Sequence, residues 1–141
     1  MGCQQSEPLQ GSSAKIFTPD LSTELCGVRL PNPLVLAAGI LGTGPELLER
    51  VAKAGAGAVT TKSCSLEPRR GHPNPTVLDW GYGLINAVGL ANPGAKEMVR
   101  IIAATKERLA SLGVPIIASI FGATVEEFAA VARRVAEARP D

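Results

Sequence analysis

Aromatic side chains are scarce in this sequence: only 4% of its 141 residues are Phe, Trp or Tyr. The core must therefore be aliphatic, and such a core is possible because 45% of the residues are hydrophobic. The formal net charge of +1 gives no support for a nucleic-acid-binding surface. No apolar run reaches the roughly 20 residues that a membrane span requires. The length suits one domain of ordinary size, with neither nucleic acid nor membrane as a partner.

Cysteine is also scarce, and Cys3, Cys26 and Cys64 do not have the spacing of metal ligands. This odd number favours free thiols in a reducing compartment, so we expect a cytoplasmic protein without a metal site. The sequence contains neither a GxGxxG dinucleotide fingerprint after its first predicted strand nor a GxxxxGKS/T phosphate loop. Residues 1–19 are polar and show almost no apolar periodicity, which predicts a flexible N-terminal tail.

Three short apolar runs have the composition of strands that are buried on both faces. They cover residues 34–38, 56–61 and 115–120. A helical spacing of apolar residues follows each run, over residues 45–55, over residues 94–112 and from residue 124 onward. This α/β order predicts parallel strands with right-handed crossovers, in either a doubly wound sheet or part of a (β/α)8 barrel. Before them, weak alternation around Cys26-Gly27 predicts a short β-hairpin.

The helical spacing also predicts which side chains face the core. In the second helix these are Met98, Ile101, Ile102, Leu109 and Leu112. In the third helix they are Val125, Phe128, Ala132 and Val135. Thr124 and Glu127 have the spacing of a capping box, which predicts the start of the third helix.

Polar side chains stand where two of the predicted strands end. Lys62 and Ser63 follow the second strand, and Ser119 lies near the end of the third. In both candidate architectures ligands bind at the C-terminal ends of the strands. A long connection rich in Pro, Gly and Arg returns to residues 86–90, where Asn86 precedes small residues with free backbone N–H groups. The pattern predicts a site for a planar anionic ligand, although residues 86–90 taken alone are better explained as a turn built around Asn and Gly.

Several short motifs occur along the chain in a defined order. They are Asn32-Pro33, Ala37-Ala38-Gly39, Thr61-Lys62-Ser63, Glu67-Pro68-Arg69 with Gly71 and Asn74-Pro75, and residues 86–90 with Asn92-Pro93-Gly94. This ordered set resembles the N-terminal half of class 1 dihydroorotate dehydrogenases, and it is closest to their NAD-linked type. The resemblance covers about residues 21–141. It implies an FMN-containing (β/α)8 barrel that oxidises dihydroorotate to orotate in pyrimidine (UMP) biosynthesis.

The resemblance also implies which residues contact the ligands. The positions where the family contacts FMN are Ala38, Lys62, Ser63 and Ser119. The positions where it contacts substrate are Lys62, Asn86, Ala87, Val88, Gly89 and Leu90. Ala38 stands where serine is frequent, and Ser119 stands where asparagine is frequent. The catalytic base and the FMN phosphate site would lie beyond Asp141, which leaves Lys62 as the catalytic residue, acting electrostatically.

The resemblance further implies that residues 20–141 form the N-terminal part of the barrel, preceded by a short hairpin. A complete (β/α)8 barrel takes about 250 residues, so the chain alone is expected to be inactive. The NAD-linked type works with a second subunit that carries FAD and a 2Fe–2S cluster, and we expect a homo-oligomer when the barrel is complete. Two alternatives stay open: the related flavin domain of dihydropyrimidine dehydrogenase, and a non-catalytic half-barrel that binds a partner.

Overall fold

A computed structural model describes residues 19–141. The tail predicted for residues 1–19 therefore lies outside the described residues, except for Pro19. The strands are β1 (Thr23–Leu25), β2 (Val28–Leu30), β3 (Val35–Leu36), β4 (Ala58–Thr60), β5 (Val77–Asp79), β6 (Leu84–Asn86) and β7 (Ile116–Ile117). The helices are α1 (Pro45–Lys53), α2 (Ala95–Leu109) and α3 (Val125–Ala136), with a short 3-10 helix at Ile40–Thr43. Within this part of the chain no helix combines the length and the hydropathy needed to cross a bilayer.

β4 is the middle strand of a three-stranded sheet in the order β3-β4-β7, and it pairs in parallel with both neighbours. The register places Val59 opposite Leu36 on one side and opposite Ile116 on the other. This pairing agrees with the repeat of strand and helix in the sequence, and the fold is mixed α/β. β4 is buried, and its Val59 joins side chains of all three helices in one aliphatic core.

The helix boundaries follow local signals in the sequence. α1 begins at Pro45, whose missing N–H costs nothing at the first helical position, and Gly55 lies just past its end with φ +105°. α3 is capped by Thr124, whose hydroxyl accepts from the Glu127 N–H at 3.1 Å. The Glu127 carboxylate accepts in turn from the Ala123 N–H at 2.7 Å, one residue before the position that the capping box predicts.

The prediction that the first strand is buried on both faces is wrong. Leu34 is 68% exposed and Val35 is 41% exposed. β3 pairs with β4, but within the described chain the side chains of Leu34 and Val35 do not join the aliphatic core. A continuous apolar run therefore identifies a strand here without showing what covers its faces.

Part of the predicted helix packing is also wrong. Val125 is 80% exposed and Phe128 is 47% exposed, whereas Val131 and Val135 are buried in the core. α3 contributes its later turns to the core, so side chains in its first turn do not reach it. Leu112 lies beyond the end of α2 and is exposed, while the other four residues predicted for that helix are buried.

Two antiparallel hairpins lie outside the central sheet, one before β3 and the other between β4 and α2 in the chain. β1 pairs with β2 around Cys26 and Gly27, which both have positive φ, as a two-residue type I′ turn requires. β5 pairs with β6, within what the sequence indicated was only a long loop. Every residue of β5 and β6 is exposed, so this second hairpin has no buried face. Sequence reasoning missed it because it lacks the apolar–polar alternation that a half-buried strand shows.

The 3-10 helix packs directly on the end of β4 through Gly42. Gly42 is buried, and its carbonyl accepts from the Lys62 N–H at 2.8 Å. A Cβ atom at this position would lie 2.5 Å from the Thr61 carbonyl carbon and closer still to the Lys62 nitrogen. Glycine is therefore required here by close approach of two backbones rather than by its φ angle.

We expect Gly42→Ala to lower the free energy of unfolding by about 1–3 kcal/mol, because the added methyl group must push two backbone segments apart. Gly83→Ala is the matched control, since its Cβ would meet only Trp80 Nε1 at 3.5 Å. Its effect should stay within about 0.5 kcal/mol. Urea unfolding of both variants measures the difference, and equal midpoints would contradict the close packing of Gly42.

Candidate functional site

Two of the predicted ligand-binding hydroxyls meet at the carboxyl edge of the sheet. Ser63 lies three residues after the end of β4, and Ser119 lies two residues after the end of β7. Because the two strands are parallel neighbours, their carboxyl ends open on the same edge. The Oγ atoms of Ser63 and Ser119 are 2.7 Å apart and hydrogen-bonded. One hydroxyl donates to the other, so the pair keeps one further O–H for a ligand.

Lys62 directly precedes Ser63 in the chain and adds a positive charge to this segment. Its backbone N–H is held by Gly42, and its side chain is partly exposed. None of the ion pairs between residues 19 and 141 includes Lys62. An ammonium group without a carboxylate partner is available to an anionic ligand group. Together the cation and the two hydroxyls are suited to a planar ligand that carries oxygen and nitrogen atoms on its edge.

Ala38 is the remaining position predicted to contact the cofactor. It lies two residues after β3 and is exposed. It therefore stands at the carboxyl end of β3, the remaining strand of the parallel sheet. No hydrogen bond connects Ala38 to Ser63 or Ser119 within the described chain. Its methyl side chain can offer only van der Waals contact.

The predicted substrate segment lies at the end of the exposed hairpin. Asn86 is the last residue of β6, and its side chain is exposed. The Ala87 N–H is already used, since it donates to the Thr76 carbonyl at 2.8 Å. The next three N–H groups have no acceptor among residues 19–141; they belong to Val88, Gly89 and Leu90. Gly89 and Leu90 have φ of 72° and 57°, so the chain turns sharply here. Backbone N–H groups without a protein acceptor can bind an anion.

Asn92 joins this segment to the end of β4, a role that sequence reasoning missed. It is buried, and its Oδ1 accepts from the N–H groups of Ser65 at 3.2 Å and Gly94 at 2.9 Å. Its Nδ2 donates to the Leu90 carbonyl at 2.9 Å and to Ser65 Oγ at 3.0 Å. An Asn two residues before a helix-starting Gly is an Asx-turn signal that would have indicated the local bond. The bonds to Ser65, 27 residues away, had no signal.

Arg69 holds the start of the same connection. Its backbone exchanges two hydrogen bonds of 3.0 Å with Asn92, and its guanidinium lies 5.8 Å from the centre of the Phe121 ring. Phe121 follows Ser119 by two residues, so this cation–π contact links the loops after β4 and β7. Arg69 therefore anchors the start of the long connection both to Asn92, at its end, and to the loop after β7.

Cys64 packs in the core beside the site. It is completely buried, and burial raises the pKa of its thiol to about 11. The thiol is therefore protonated at neutral pH, which agrees with a packing role rather than a nucleophilic one.

No cluster of His, Cys, Asp or Glu in the described part of the chain could hold a metal ion. A cleft lined by Lys106, Pro115 and Asp141 lies at the opposite, amino-terminal end of β7.

Comparison with known proteins gives a consistent family. The dihydroorotate dehydrogenase family profile matches residues 20–139. The catalytic subunit of dihydroorotate dehydrogenase B (NAD(+)) from Methanocaldococcus jannaschii is 47% identical over 115 residues, which is 82% of this chain and 38% of the relative. The same subunit from Methanocella arvoryzae is 52% identical over 106 residues, 75% of this chain and 34% of the relative. That from Pyrococcus abyssi is 45% identical over 117 residues, 83% of this chain and 38% of the relative.

This chain thus spans little more than a third of the length of the relatives that it matches. The family match nevertheless runs through nearly all of the described residues, including both strand ends and the whole connection between them. The chain belongs to the dihydroorotate dehydrogenase family.

Proposed function

We propose that this chain supplies part of the active site of an FMN-dependent enzyme that oxidises dihydroorotate to orotate in pyrimidine biosynthesis. The observation that carries the proposal is the Ser63–Ser119 hydroxyl pair at the carboxyl edge of the sheet, with Lys62 next to Ser63 in the chain. The names of the relatives, catalytic subunits of dihydroorotate dehydrogenase B, support this reaction. The activity is that of the whole enzyme, to which residues 20–141 contribute the N-terminal part.

A (β/α)8 barrel is the architecture that we infer for the whole enzyme. The three parallel strands follow each other in chain order, as they do around a barrel. On the side of β7 that faces away from β4, the Ile116 carbonyl accepts from the Asp141 N–H at 3.0 Å, and the Ile116 N–H donates to Asp141 Oδ2 at 3.0 Å. These bonds support continuation of the sheet in the same direction.

The residues at the strand ends fit a flavin ring. A flavin presents carbonyl oxygens and ring nitrogens along one edge, and Lys62, Ser63 and Ser119 offer an ammonium and two hydroxyls to such an edge. Ala38 would add a small apolar contact. When bound, FMN supplies a hydride acceptor for the oxidation of the substrate. The phosphate anchor, by resemblance to the family, lies outside these residues.

Lys62 is the residue to which we assign electrostatic catalysis. Oxidation of dihydroorotate removes a hydride and a proton, and negative charge develops on the hydride acceptor. A preorganised ammonium close to that charge stabilises the transition state more than the ground state. The same ammonium can bind an oxygen of orotate. We assign the proton to a base that the resemblance places beyond Asp141.

Residues 86–90 are proposed to bind the substrate. The Asn86 amide offers one donor group and one acceptor to the edge of a pyrimidine ring. The N–H groups of Val88, Gly89 and Leu90, which lack acceptors in the described chain, would bind the substrate carboxylate. Asn92 would hold this segment at a constant distance from Lys62 through Ser65.

A partner subunit is also proposed. The relatives are named catalytic subunits, which implies that those proteins work with another subunit. By resemblance to the NAD-linked type, the partner would carry FAD and a 2Fe–2S cluster, and the complete enzyme would be a cytoplasmic homo-oligomer. The dihydropyrimidine dehydrogenase alternative differs in substrate, because a pyrimidine without a carboxylate would leave the N–H groups after Asn86 unused.

The first prediction from the proposed function compares this chain alone with a chimera. In the chimera, residues 20–139 replace the matching segment of the Methanocaldococcus jannaschii catalytic subunit. We expect the chimera to be yellow and to reduce a dye with dihydroorotate, and the chain alone to be colourless and inactive because it lacks a positioned base and a phosphate anchor. Absorption spectra and dye reduction measure both. Turnover by the chain alone, or a folded chimera that binds no FMN, would contradict the proposal.

The second prediction concerns Lys62→Ala in that chimera. Loss of one preorganised electrostatic contact should slow flavin reduction about a hundredfold, equivalent to about 3 kcal/mol of transition-state stabilisation. Stopped-flow absorbance measures the rate. Lys96→Ala, which removes an exposed lysine on α2, is the control and should react at the wild-type rate. Wild-type speed in Lys62→Ala would remove Lys62 from the mechanism.

The third prediction concerns Asn86→Ala, also in the chimera. We expect weaker orotate binding by about 1–3 kcal/mol, because polar groups of the ligand lose their partner, and an unchanged affinity for FMN. Titration of the flavin absorbance with orotate measures the affinity. Leu84→Ala, on the same exposed strand, controls for damage to the hairpin. If both variants bind orotate as the wild type does, Asn86 is only a turn residue.

A further inference from the structure

The hydrogen-bonded ladder between β4 and β7 changes register at the candidate site. Thr60 pairs with Ile117, and the next paired residues are Cys64 and Ile120. Three residues, 61–63, therefore lie opposite two residues, 118 and 119. One extra residue on one strand of a pair is a β-bulge. Lys62 and Ser63 are the residues that this bulge carries.

Thr61 closes the bulge with its side chain. Its N–H donates to the Ile117 carbonyl at 2.9 Å, as in a regular parallel ladder. In such a ladder the next bond would run from the Ser119 N–H to the Thr61 carbonyl. Instead the Ser119 N–H donates to the Thr61 hydroxyl at 3.1 Å. A side-chain oxygen thus replaces a backbone oxygen in the rung at the bulge, and the backbone after β4 turns toward Gly42, whose carbonyl accepts from the Lys62 N–H.

The Thr61 hydroxyl consequently determines where Ser119 lies. All three polar groups of Ser119 are bonded: its N–H to Thr61, its carbonyl to the Cys64 N–H at 3.1 Å, and its hydroxyl to Ser63 at 2.7 Å. Thr61 itself is 0% exposed, so it cannot contact a ligand. A buried hydroxyl at the end of an apolar strand is unfavourable unless it is hydrogen-bonded, and the bond to Ser119 meets that need.

We propose that Thr61 is a positioning residue for the site, in that its hydroxyl closes the bulge and so sets the Ser63–Ser119 pair and Lys62 at the carboxyl edge. This role rests on the proposed function of that edge in binding FMN. Bulges near functional sites re-aim side chains that a regular strand would point elsewhere. Valine would fill the same space in the core without supplying an acceptor for the Ser119 N–H.

The test uses the chimera described above with three substitutions. Thr61→Val removes the hydroxyl, and Thr61→Ser keeps it while removing the methyl group. Thr105→Val is the matched control, because Thr105 is also 0% exposed and, among residues 19–141, its hydroxyl bonds only to the Ile101 carbonyl, within α2. FMN affinity of the apoprotein and the rate of flavin reduction are measured for each variant. Hydrogen exchange of the Ser119 amide is followed as well.

We expect Thr61→Val to weaken FMN binding and to slow flavin reduction by about tenfold or more, because small displacements of positioned groups are costly. The Ser119 amide should lose its protection in this variant. Thr61→Ser should restore all three values to near those of the wild type, and Thr105→Val should leave FMN affinity and rate unchanged.

Several outcomes would overturn the role of Thr61. They are wild-type FMN affinity and rate in Thr61→Val, equal damage by Thr61→Ser, and equal damage by Thr105→Val. A Ser119 amide that stays protected without the hydroxyl would do the same, and that measurement does not depend on FMN. If instead the unsubstituted chimera fails to bind FMN while the amide responds as expected, the proposed function fails and the closure of the bulge by Thr61 stands.

Discussion

Parallel hydrogen bonding of β4 to both of its neighbours is the constraint on which the site depends. β4 is short, but its three residues are all buried, and Val59 at its centre is paired on both sides. Because its neighbours run in the same direction, residues that are far apart in sequence leave the sheet at one edge. Ser63 and Ser119 are 56 residues apart, and parallel pairing brings them to the same edge. Gly42 packs against the end of β4, and its carbonyl holds the backbone N–H of Lys62.

The connection after β4 combines a buried anchor with an exposed hairpin. Asn92 uses both its oxygen and its nitrogen in hydrogen bonds and is shielded from water. A buried amide that is fully bonded in this way fixes the backbone around it, since each broken bond would leave a polar group without a partner. The β5–β6 hairpin has no such anchor along its length. Residues 86–90 connect the exposed hairpin to the buried anchor. Asn86 is the exposed last residue of β6, whereas the Leu90 carbonyl accepts from the Asn92 side chain.

Apolar surface remains exposed on the described chain at two places that sequence patterns assigned to the core. Val35 lies on the edge strand β3 and Leu34 directly precedes it, and Val125 and Phe128 lie in the first turn of α3. In each case the pattern correctly identified an apolar strand or an amphipathic helix. It could not identify the neighbour that covers the face, because that neighbour is not encoded in the same few residues.

Local structure was the part that the sequence by itself determined. Pro45 and Gly55 bounded α1, Thr124 capped α3, and β-branched residues marked β4, since each of these signals acts within one turn or one strand. The position of Lys62 and Ser63 at a strand end followed from the same signals. Tertiary structure alone decided that Ser63 bonds to Ser119, that Asn92 bonds to Ser65, and that the hydroxyl of Thr61 replaces a backbone carbonyl. The contacts of Ser119 depend on strand register and on a one-residue bulge, and the contact of Asn92 depends on how the long connection returns to Ser65. The paired residues are 27 to 58 positions apart. Propensity and periodicity carry no information over that distance.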